Sequence, residues 1–574
     1  MMQGYLACFF APGGPGALPA LLNDALGREG CIRIVSEDDL VLFAGPDLPV
    51  RRGANGRSCV VGHLFERGGS SALAQLDIEL SPDRAKNMLQ RFWGSYVALS
   101  WDNRRLRVMR DPSGGLACYH AHIDGRHYFT SLPHLLIDSV LAAAAIEWPE
   151  IARSLTQHSE RLAQTAIRGI EELLPGTALD VTGLKPERRS VWNAWDHAVS
   201  SPPADPSEAL REALCSTLEA WGQTLRRPLI EISGGLDSAV VAAGLSRTSS
   251  GASLITFAPA PGDPDETLYA KAIADHLGLD LTVVKPRVDD VDLSRSMSRD
   301  LPRPNARAFT QAADALSLQH GRAIGADAFV SGGGGDDVFC YLRTILPAVD
   351  RLRTEGVGAT LSSAMDIAAM NHSTFWEASY RIVRRLIRRR PGKSPADLRF
   401  LSRDAWDHQA PAKDELGRKR LPGKAEHVRS VLSIHNYLEG HARASFAPIL
   451  SPLLSQPIVE CCLSIPAWHW CEGGSNRAVA RRAFRERLPR TVLERRSKGH
   501  FDGFCSALLD ANQELVRSML LDGRLAGQGL LDRNAVDGAL SNPFPPAETV
   551  TRLLALIDVE SWAASWLARP AHRR

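Results

Sequence analysis

Six consecutive residues, Ser233-Gly234-Gly235-Leu236-Asp237-Ser238, have the composition of a loop that binds phosphate through a metal ion. The two glycines let backbone N–H groups approach an anion closely, and the serines add hydroxyl donors. The carboxylate of Asp237 would repel a bare phosphate, which favours a Mg²⁺ ion held between carboxylate and phosphate oxygens. The loop lacks the Gly-Lys of a Walker A sequence. We predict a metal-nucleotide site here; an ordinary glycine turn is the alternative.

A second loop, Ser331–Phe339, carries four successive glycines and then Asp336. Carboxylates on two neighbouring loops can together hold Mg²⁺ on a triphosphate. Asp237 and Asp336 are therefore the predicted metal ligands, and a flexible glycine loop with solvated aspartates is the alternative.

Strands that alternate with helices must position both loops. Apolar runs at 228–232, 253–258, 281–285 and 327–330 are separated by helical patterns, which predicts a doubly wound parallel sheet. Such sheets bind ligands beyond the carboxyl ends of their strands. We accordingly assign to ATP the residues Ile232, Ser233, Gly234, Gly235, Asp237, Ser238, Phe257, Ser331 and Gly332.

The first ~195 residues have short strand-like runs separated by turn residues, which predicts an α+β domain rich in antiparallel sheet. The turn-rich segment 200–206 marks the predicted boundary between domains at 1–200 and 206–574. A length of 574 residues suggests two to four domains.

The composition limits the class of partner. A formal charge of +2 gives no global reason to expect nucleic acid or a membrane surface. The ten cysteines have no metal-site spacing, and no run is long enough to cross a bilayer, so we expect a reducing, cytoplasmic location.

Two segments of the C-terminal half stand apart from the sheet pattern. Trp376, Tyr380, Val383 and Ile387 recur at helical spacing among arginines, which predicts an amphipathic helix with a solvated basic face; an acidic partner is the alternative. Residues 391–425 are polar and rich in proline and lysine, and we predict a mobile insertion that serves as a lid.

Together the two loops make the chain resemble the asparagine synthetase B-type amide ligases, and the first loop resembles that of the ATP pyrophosphatase superfamily. Gly94–Asp102, Arg110–Gly115 and Tyr128–Ser131 are similar to strands of that family's glutaminase domain. Arg496–Gly499 resembles the loop that carries its catalytic lysine, here Lys498. The resemblance implies an Ntn-glutaminase-like sandwich followed by an ATP pyrophosphatase-type sheet with helical additions, and it implies ATP and Mg²⁺.

The N-terminal half departs from the family where glutamine is hydrolysed. The family requires a cysteine directly after the initiator methionine, but this chain has Met2 and then Gln3, and its nearest thiol is the internal Cys8. The family's Asn-Gly-Glu-type strand is replaced by Gly62–Glu66. We predict that this half makes no ammonia and that the amine comes from the substrate.

Two branches of the family join a carboxylate to an amine of one substrate: β-lactam synthetases and lasso-peptide macrolactam synthetases. Pro448–Glu460 and Trp470–Arg477 resemble the lasso cyclases most. That resemblance implies adenylation of an Asp or Glu side chain in a precursor peptide and attack by the peptide's N-terminal amine. It also implies a leader-binding protein and a leader peptidase as partners.

The amine must lose a proton when the ring closes. Relatives of the family carry Glu or Tyr where this chain has Gly333, so the role of the base is vacant or filled elsewhere, and the candidate is Glu439, on a helix expected around Ile434–Ala442. The alternative functions are a β-lactam synthetase, an ammonia-dependent asparagine synthetase, a tRNA-modifying ATP pyrophosphatase and a non-catalytic nucleotide-binding partner.

Overall fold

The computed structural model describes most of the 574 residues. The residues outside the description are 1–3, 11–17, 69–79, 103, 142–144, 183–184, 261–262, 306, 389–395, 404, 406–419, 496–498, 500 and 570–574. Met2, Gln3, Lys498 and most of the predicted lid fall among them.

The N-terminal half is a sandwich of two antiparallel six-stranded sheets, as the resemblance implied. One sheet has the order β10-β8-β9-β1-β3-β2 and the other β12-β11-β7-β6-β5-β4. The strands are β1 Tyr5–Phe10, β2 Ile32–Ser36, β3 Leu40–Ala44, β4 Val50–Arg52, β5 Ser58–Glu66, β6 Phe92–Asp102, β7 Arg105–Arg110, β8 Tyr119–Ile123, β9 Arg126–Thr130, β10 Glu171–Glu172, β11 Thr177–Thr182 and β12 Lys185–Ser190.

The faces of the two sheets bury alternate residues of each strand, and short helices cover the outer sides. Cys8 lies in the middle of β1, fully buried opposite Tyr128. Burial raises the pKa of its thiol, which leaves it protonated and unreactive. The helices of this half are α1 Ala20–Arg28, α2 Pro82–Arg91, α3 Pro133–Ser139, α4 Trp148–Thr156 and α5 Ala194–Ala198.

The C-terminal half is built on a five-stranded sheet in which every described pairing is parallel. Its order is β15-β14-β13-β16-β17. The direction in which successive strands are added to the sheet therefore reverses between β13 and β16. The strands are β13 Pro228–Glu231, β14 Ser253–Phe257, β15 Leu281–Val284, β16 Ala328–Ser331 and β17 Ile449–Leu450. The predicted doubly wound sheet is confirmed, and both predicted loops follow the two strands at the reversal.

Helices flank this sheet and extend well beyond it. The first group is α6 Pro206–Gly222, α7 Leu236–Leu245, α8 Thr267–Leu277, α9 Gln311–Ile324, α10 Gly335–Val338, α11 Leu346–Glu355, α12 Val357–Met370 and α13 Phe375–Arg388. The second is α14 Pro422–Ser433, α15 Gln456–Ser464, α16 Ala478–Ala483, α17 Arg490–Leu493, α18 Asp502–Ala511, α19 Gln513–Asp522, α20 Arg524–Gly527, α21 Arg533–Leu540 and α22 Ala547–Leu567. None of the described helices is both long and apolar enough to cross a bilayer.

The prediction of a helix around Ile434–Ala442 is wrong. Two short 3-10 turns, Ile434–Tyr437 and Ala442–Ser445, stand there with Glu439 between them. In the predicted lid, the described residues at both ends are packed: Leu401 is buried, and Lys424 is buried with its Nζ donating to the carbonyl of Leu463.

An aromatic cluster joins the two halves. Trp93 and Phe65 of the sandwich pack against Trp221 of α6, with the Phe65 and Trp221 rings 4.9 Å apart. His63 packs against Trp221 with the ring centres 5.2 Å apart, and burial lowers its pKa to about 4. His63 lies on β5, so this part of the strand packs between the two halves.

Candidate functional site

The two glycine loops are in direct contact, and glycine is required where they touch. A Cβ on Gly332 would lie 2.6 Å from the backbone nitrogen of Ser238, and one on Gly335 would lie 2.4 Å from the Cβ of Asp237. Gly234 has φ +66°, a left-handed conformation that few residues other than glycine adopt. Ser238 closes the first loop by accepting a hydrogen bond from the backbone N–H of Ser233 at 3.3 Å.

The predicted carboxylate pair is brought together by one arginine. Arg477 Nη1 lies 2.9 and 2.7 Å from the two carboxylate oxygens of Asp237 and 2.8 Å from Oδ1 of Asp336. The side chain of Arg477 is buried, and its backbone has a left-handed conformation directly before α16. We call Asp237, Asp336 and Arg477 the loop cluster.

The loop cluster has more negative than positive charge. Asp337, next along the second loop, accepts a hydrogen bond from Ser430, and its pKa is raised by burial and by the nearby charge of Asp237. The carboxyl group of Asp337 therefore lies near that of Asp237, in addition to the two carboxylates that contact Arg477. This donor set suits a cation such as Mg²⁺, which takes one or two carboxylates and completes its shell with phosphate and water oxygens. The described residues offer no group of three or more His, Cys, Asp or Glu ligands, so the ligand's own oxygens would have to contribute.

A largely apolar cavity opens beside the first loop. Among the predicted nucleotide residues, Ile232, Ser233 and Phe257 line it. The rest of the wall comes from the segment after β14, from the start of α9 and from the segment before α18. An apolar wall beside a glycine loop and a carboxylate pair is the arrangement expected for a base and its phosphates.

Lys498 lies outside the described residues, but residues on both sides of it contact Glu266. Arg495 donates to the backbone carbonyl of Gly234 at 3.1 Å and forms an ion pair with Glu266. The backbone N–H of Gly499 donates to the same Glu266 carboxylate at 2.9 Å. The segment that carries Lys498 thus begins and ends at the mouth of the cavity.

Glu439 lies in a second charged group, at the boundary between the halves. Its carboxylate pairs with Arg161 at 2.9 Å and accepts a hydrogen bond from Tyr119 at 3.0 Å, both from the sandwich. Arg161 also pairs with the fully buried Glu172. Within the described residues, the hydrogen bonds and ion pairs of Glu439 go to Tyr119 and Arg161 and not to the two loops, and its role as base stays a prediction.

Glu172 is the centre of this group, which we call the interface cluster: Glu172, Glu439, Arg110, Arg161 and Arg303. Glu172 pairs with the three arginines at 2.7, 2.9 and 3.1 Å. Burial alone would raise the pKa of Glu172, but the three guanidinium groups outweigh burial and hold it well below its usual range. The cluster joins the sandwich to the loop 298–310 and to the turn that carries Glu439.

A larger cavity of about 550 Å³ lies on the other side of Phe309, which lines both cavities. It is bounded by the end of α4, the loop at 303–309, Tyr437 and the C-terminal helix α22. Four arginines on its wall are engaged: Arg153 with Glu150, Arg303 with Glu172, Arg399 with Asp397, and Arg552 with the carbonyl of Leu155.

Arg307 is the exception on that wall. Its guanidinium carbon lies 4.5 Å from the centre of the Tyr437 ring and 6.0 Å from that of Phe309. Within the described part of the chain it forms no ion pair. The adjacent Ala308 N–H is held by Asp558 of α22 at 2.7 Å. The cavity therefore presents a cation beside the wall that it shares with the nucleotide cavity.

Sequence reasoning missed Arg477, Glu266 and Arg307 as site residues. Arg477 lies within a segment that was singled out, but its partner Asp237 is 240 positions away, so no local pattern marks it. Glu266 directly precedes helix α8, and Arg307 lies in a loop without periodicity. For Glu266, the only available signal was its position directly before a helix that flanks the glycine loop.

Comparison with known proteins gives one family. A family model described as asparagine synthase matches residues 209–567. No curated protein matches the chain significantly. Among solved structures, the glutamine phosphoribosylpyrophosphate amidotransferase from B. subtilis complexed with ADP and GMP is 10% identical, covers 57% of this chain and 90% of its own, and has a TM-score of 0.22. The allosteric regulatory enzyme of purine biosynthesis is also 10% identical, covers 57% and 83%, and has a TM-score of 0.20. Scores this low support no conclusion about either half.

Proposed function

Because the chain belongs to the asparagine synthase family, whose activity is ATP-dependent amide-bond formation, we propose that it closes a macrolactam ring in a precursor peptide. One observation carries the proposal: Asp237 and Asp336 meet at the reversal of the sheet, beside a cavity lined by three of the predicted nucleotide residues. The amine and the acid that are joined would both belong to the peptide.

The first step is activation of the acid. ATP would lie in the cavity of Ile232, Ser233 and Phe257, with its phosphates on the two glycine loops. Asp237 and Asp336 would hold Mg²⁺, which supplies charge neutralisation of the triphosphate when bound. An oxygen of the peptide's Asp or Glu side chain attacks the α-phosphorus. The bond from that phosphorus to pyrophosphate breaks, leaving an acyl-adenylate.

The second step is ring closure. The peptide's N-terminal amine attacks the acyl carbon, the bond from carbon to AMP breaks, and the amine loses a proton. Lys498 would stabilise the negative charge that develops, an effect worth roughly 10²–10³ in rate. An α-amine has a pKa of ~8, so its deprotonation needs little help from a base such as Glu439.

Arg477 holds the two loops in register in our proposal. Its guanidinium ties Asp237 to Asp336 and keeps both carboxylates on one side of the nucleotide loop. It also offsets part of their mutual repulsion, which would otherwise separate the loops before nucleotide binds.

Three features support a peptide as the substrate rather than ammonia and aspartate. Cys8, the first cysteine of the sequence, is buried and protonated. His63 lies on the strand where relatives would bind glutamine, and its ring packs against Trp221. The second cavity has room for a chain segment, and Arg307 offers that segment a cation.

The experiment combines the purified protein with ATP, Mg²⁺ and synthetic peptides that have a free N-terminus and one Asp or Glu at varied positions. We expect pyrophosphate and AMP, together with a peptide product that has lost one water. N-acetylated versions of the same peptides should release pyrophosphate without ring closure, and added hydroxylamine should trap their activated acid as a hydroxamate. Formation of ADP, or efficient asparagine synthesis from aspartate and ammonium, would contradict the proposal; added glutamine should yield no glutamate.

Arg307 gives a sharper version of this test. Arg307→Gln should raise the KM for the peptide about tenfold while the KM for ATP stays unchanged, because a charged hydrogen bond to substrate contributes roughly 1.5–3 kcal/mol. Arg399→Gln is the matched control, since Arg399 lines the same cavity but is already paired with Asp397. Equal effects of the two variants would remove Arg307 from the site.

A further inference from the structure

Helix α13 exposes an apolar stripe to solvent. Trp376, Tyr380, Val383 and Ile387 are 79%, 63%, 53% and 75% exposed. Their spacing of four, three and four residues puts them on one face of the helix. A different face, with Ala378 and Ile382, packs into the protein. The helix therefore has two apolar faces, of which the fold covers one.

The neighbouring helix also exposes apolar side chains. Helix α12 packs against α13, and its Leu361 and Met365 are each about half exposed. Large side chains that remain exposed together on a folded protein mark a surface that something else covers. We call α13 with these two residues of α12 the outer helix surface.

Arginines border the outer helix surface. Arg381 pairs with Glu377, whereas Arg384 and Arg385 form no ion pair within the described residues. The sequence continues with Arg388, Arg389 and Arg390. Glu377 is the only acidic residue of α13, so the helix carries a clear excess of positive charge.

We infer that the outer helix surface docks on an anionic lipid membrane. Interfacial helices combine an apolar face, often with Trp and Tyr, and a flank rich in Lys or Arg. A cluster of four to eight basic residues on such a helix attracts anionic lipid headgroups. Here Trp376, Tyr380, Val383 and Ile387 supply the apolar face, and Arg381, Arg384 and Arg385 lie beside it on the same helix.

Other occupants explain only part of this surface. A second copy of the chain would bring its own Arg384 and Arg385 against these, and like charges would repel. A nucleic acid would account for the arginines but not for exposed Val383 and Ile387, because phosphate contacts need no aliphatic stripe. Lipid accounts for the arginines and the apolar side chains together.

Flotation with vesicles tests the inference. The full-length protein should float with vesicles that contain phosphatidylglycerol and phosphatidylcholine and should stay behind with phosphatidylcholine alone. The double variants Trp376→Ala/Ile387→Ala and Arg384→Gln/Arg385→Gln should each lower the apparent affinity about tenfold or more, the second more strongly at low salt. Melting temperatures should stay close to that of the wild type, because Trp376, Arg384 and Ile387 are exposed and Arg385 is only partly buried.

Matched variants exclude trivial effects. Phe544→Ala removes another exposed aromatic ring, and Arg485→Gln/Arg490→Gln removes the same charge from a different surface, so both should bind like the wild type. Absence of binding to anionic vesicles would overturn the inference, as would binding unaffected by the α13 variants. A dimer in light scattering that Trp376→Ala/Ile387→Ala dissolves would overturn it in favour of a second copy. Binding of tRNA lost in the arginine variant alone would overturn it in favour of nucleic acid.

Discussion

The interface cluster and the loop cluster are both built from carboxylates and arginines, but their charge balance is opposite. At the interface, Glu172 is fully buried and has three arginines as partners. At the loops, Asp237 and Asp336 share Arg477. A carboxylate held by several arginines serves the fold, whereas two carboxylates that meet at the end of a parallel sheet suit a cation.

The largest expected effect is on activity at the loop cluster. Asp237→Asn and Asp336→Asn should each reduce pyrophosphate formation by about 10²–10³-fold or more, because each removes a charge that the metal-nucleotide needs. Asp265→Asn, at an exposed carboxylate before α8 that accepts from Thr267 N–H, should retain activity. The assay is pyrophosphate release, with a thermal melt to verify folding. Near-normal turnover of either loop variant would show that the loop cluster does not bind the cation.

The corresponding change at the interface cluster should affect stability instead. Glu172→Gln leaves three buried guanidinium groups without their common partner and should lower the free energy of unfolding by about 3–5 kcal/mol. The matched control is Glu171→Gln, on the adjacent residue, whose carboxylate is about half exposed and pairs with Arg188. The control should change stability by about 1 kcal/mol or less. Denaturant unfolding measures both, and equal losses would contradict the distinction.

A glycine of the second loop gives an intermediate effect. Gly332→Ala places a methyl group 2.6 Å from the backbone of Ser238 and should reduce activity about tenfold or more by moving the loops apart. Gly333→Ala is the control one position on, where the nearest neighbour is the hydroxyl of Ser331 at 3.1 Å, which can rotate away. Similar activity of the two variants would show that the contact between the loops is not needed.

Acid should weaken the interface cluster with a defined sign. Because the pKa of Glu172 is lowered in the folded protein, its stabilising effect is complete above its ordinary pKa of 4.5 and is lost as the pH falls below that value. We expect the free energy of unfolding to fall from about pH 5 towards pH 3 in the wild type and in Glu171→Gln. In Glu172→Gln this part of the slope should be absent. A slope that persists there would assign the acid sensitivity to other groups.

Local pattern was enough to predict the sheet and the loops. The four predicted C-terminal strands match β13 to β16 within one or two residues, because each is a short apolar run bounded by turn residues. β17 was not predicted, since a two-residue strand leaves no pattern. Asp237 and Asp336 were predicted to meet because parallel strands end at the same edge, and they do.

What the sequence left open depends on distant contacts. Nothing near Arg477 indicates that it will lie between two aspartates, because that contact joins residues far apart in the chain. The periodicity of α13 predicted a helix correctly, but a helix with two apolar faces gives no sign of which one the fold will cover. The replacement of the helix around Glu439 by 3-10 turns reflects tertiary contacts with Arg161 and Tyr119.

The aromatic contact between the halves has an evolutionary consequence. Trp221 belongs to the C-terminal half, yet much of its surface is covered by Phe65 and Trp93 of the sandwich. A descendant that deleted the sandwich would expose that indole and the neighbouring apolar side chains to water and would be prone to aggregation. Selection on solubility alone would then preserve the N-terminal half, even after its own chemistry had gone.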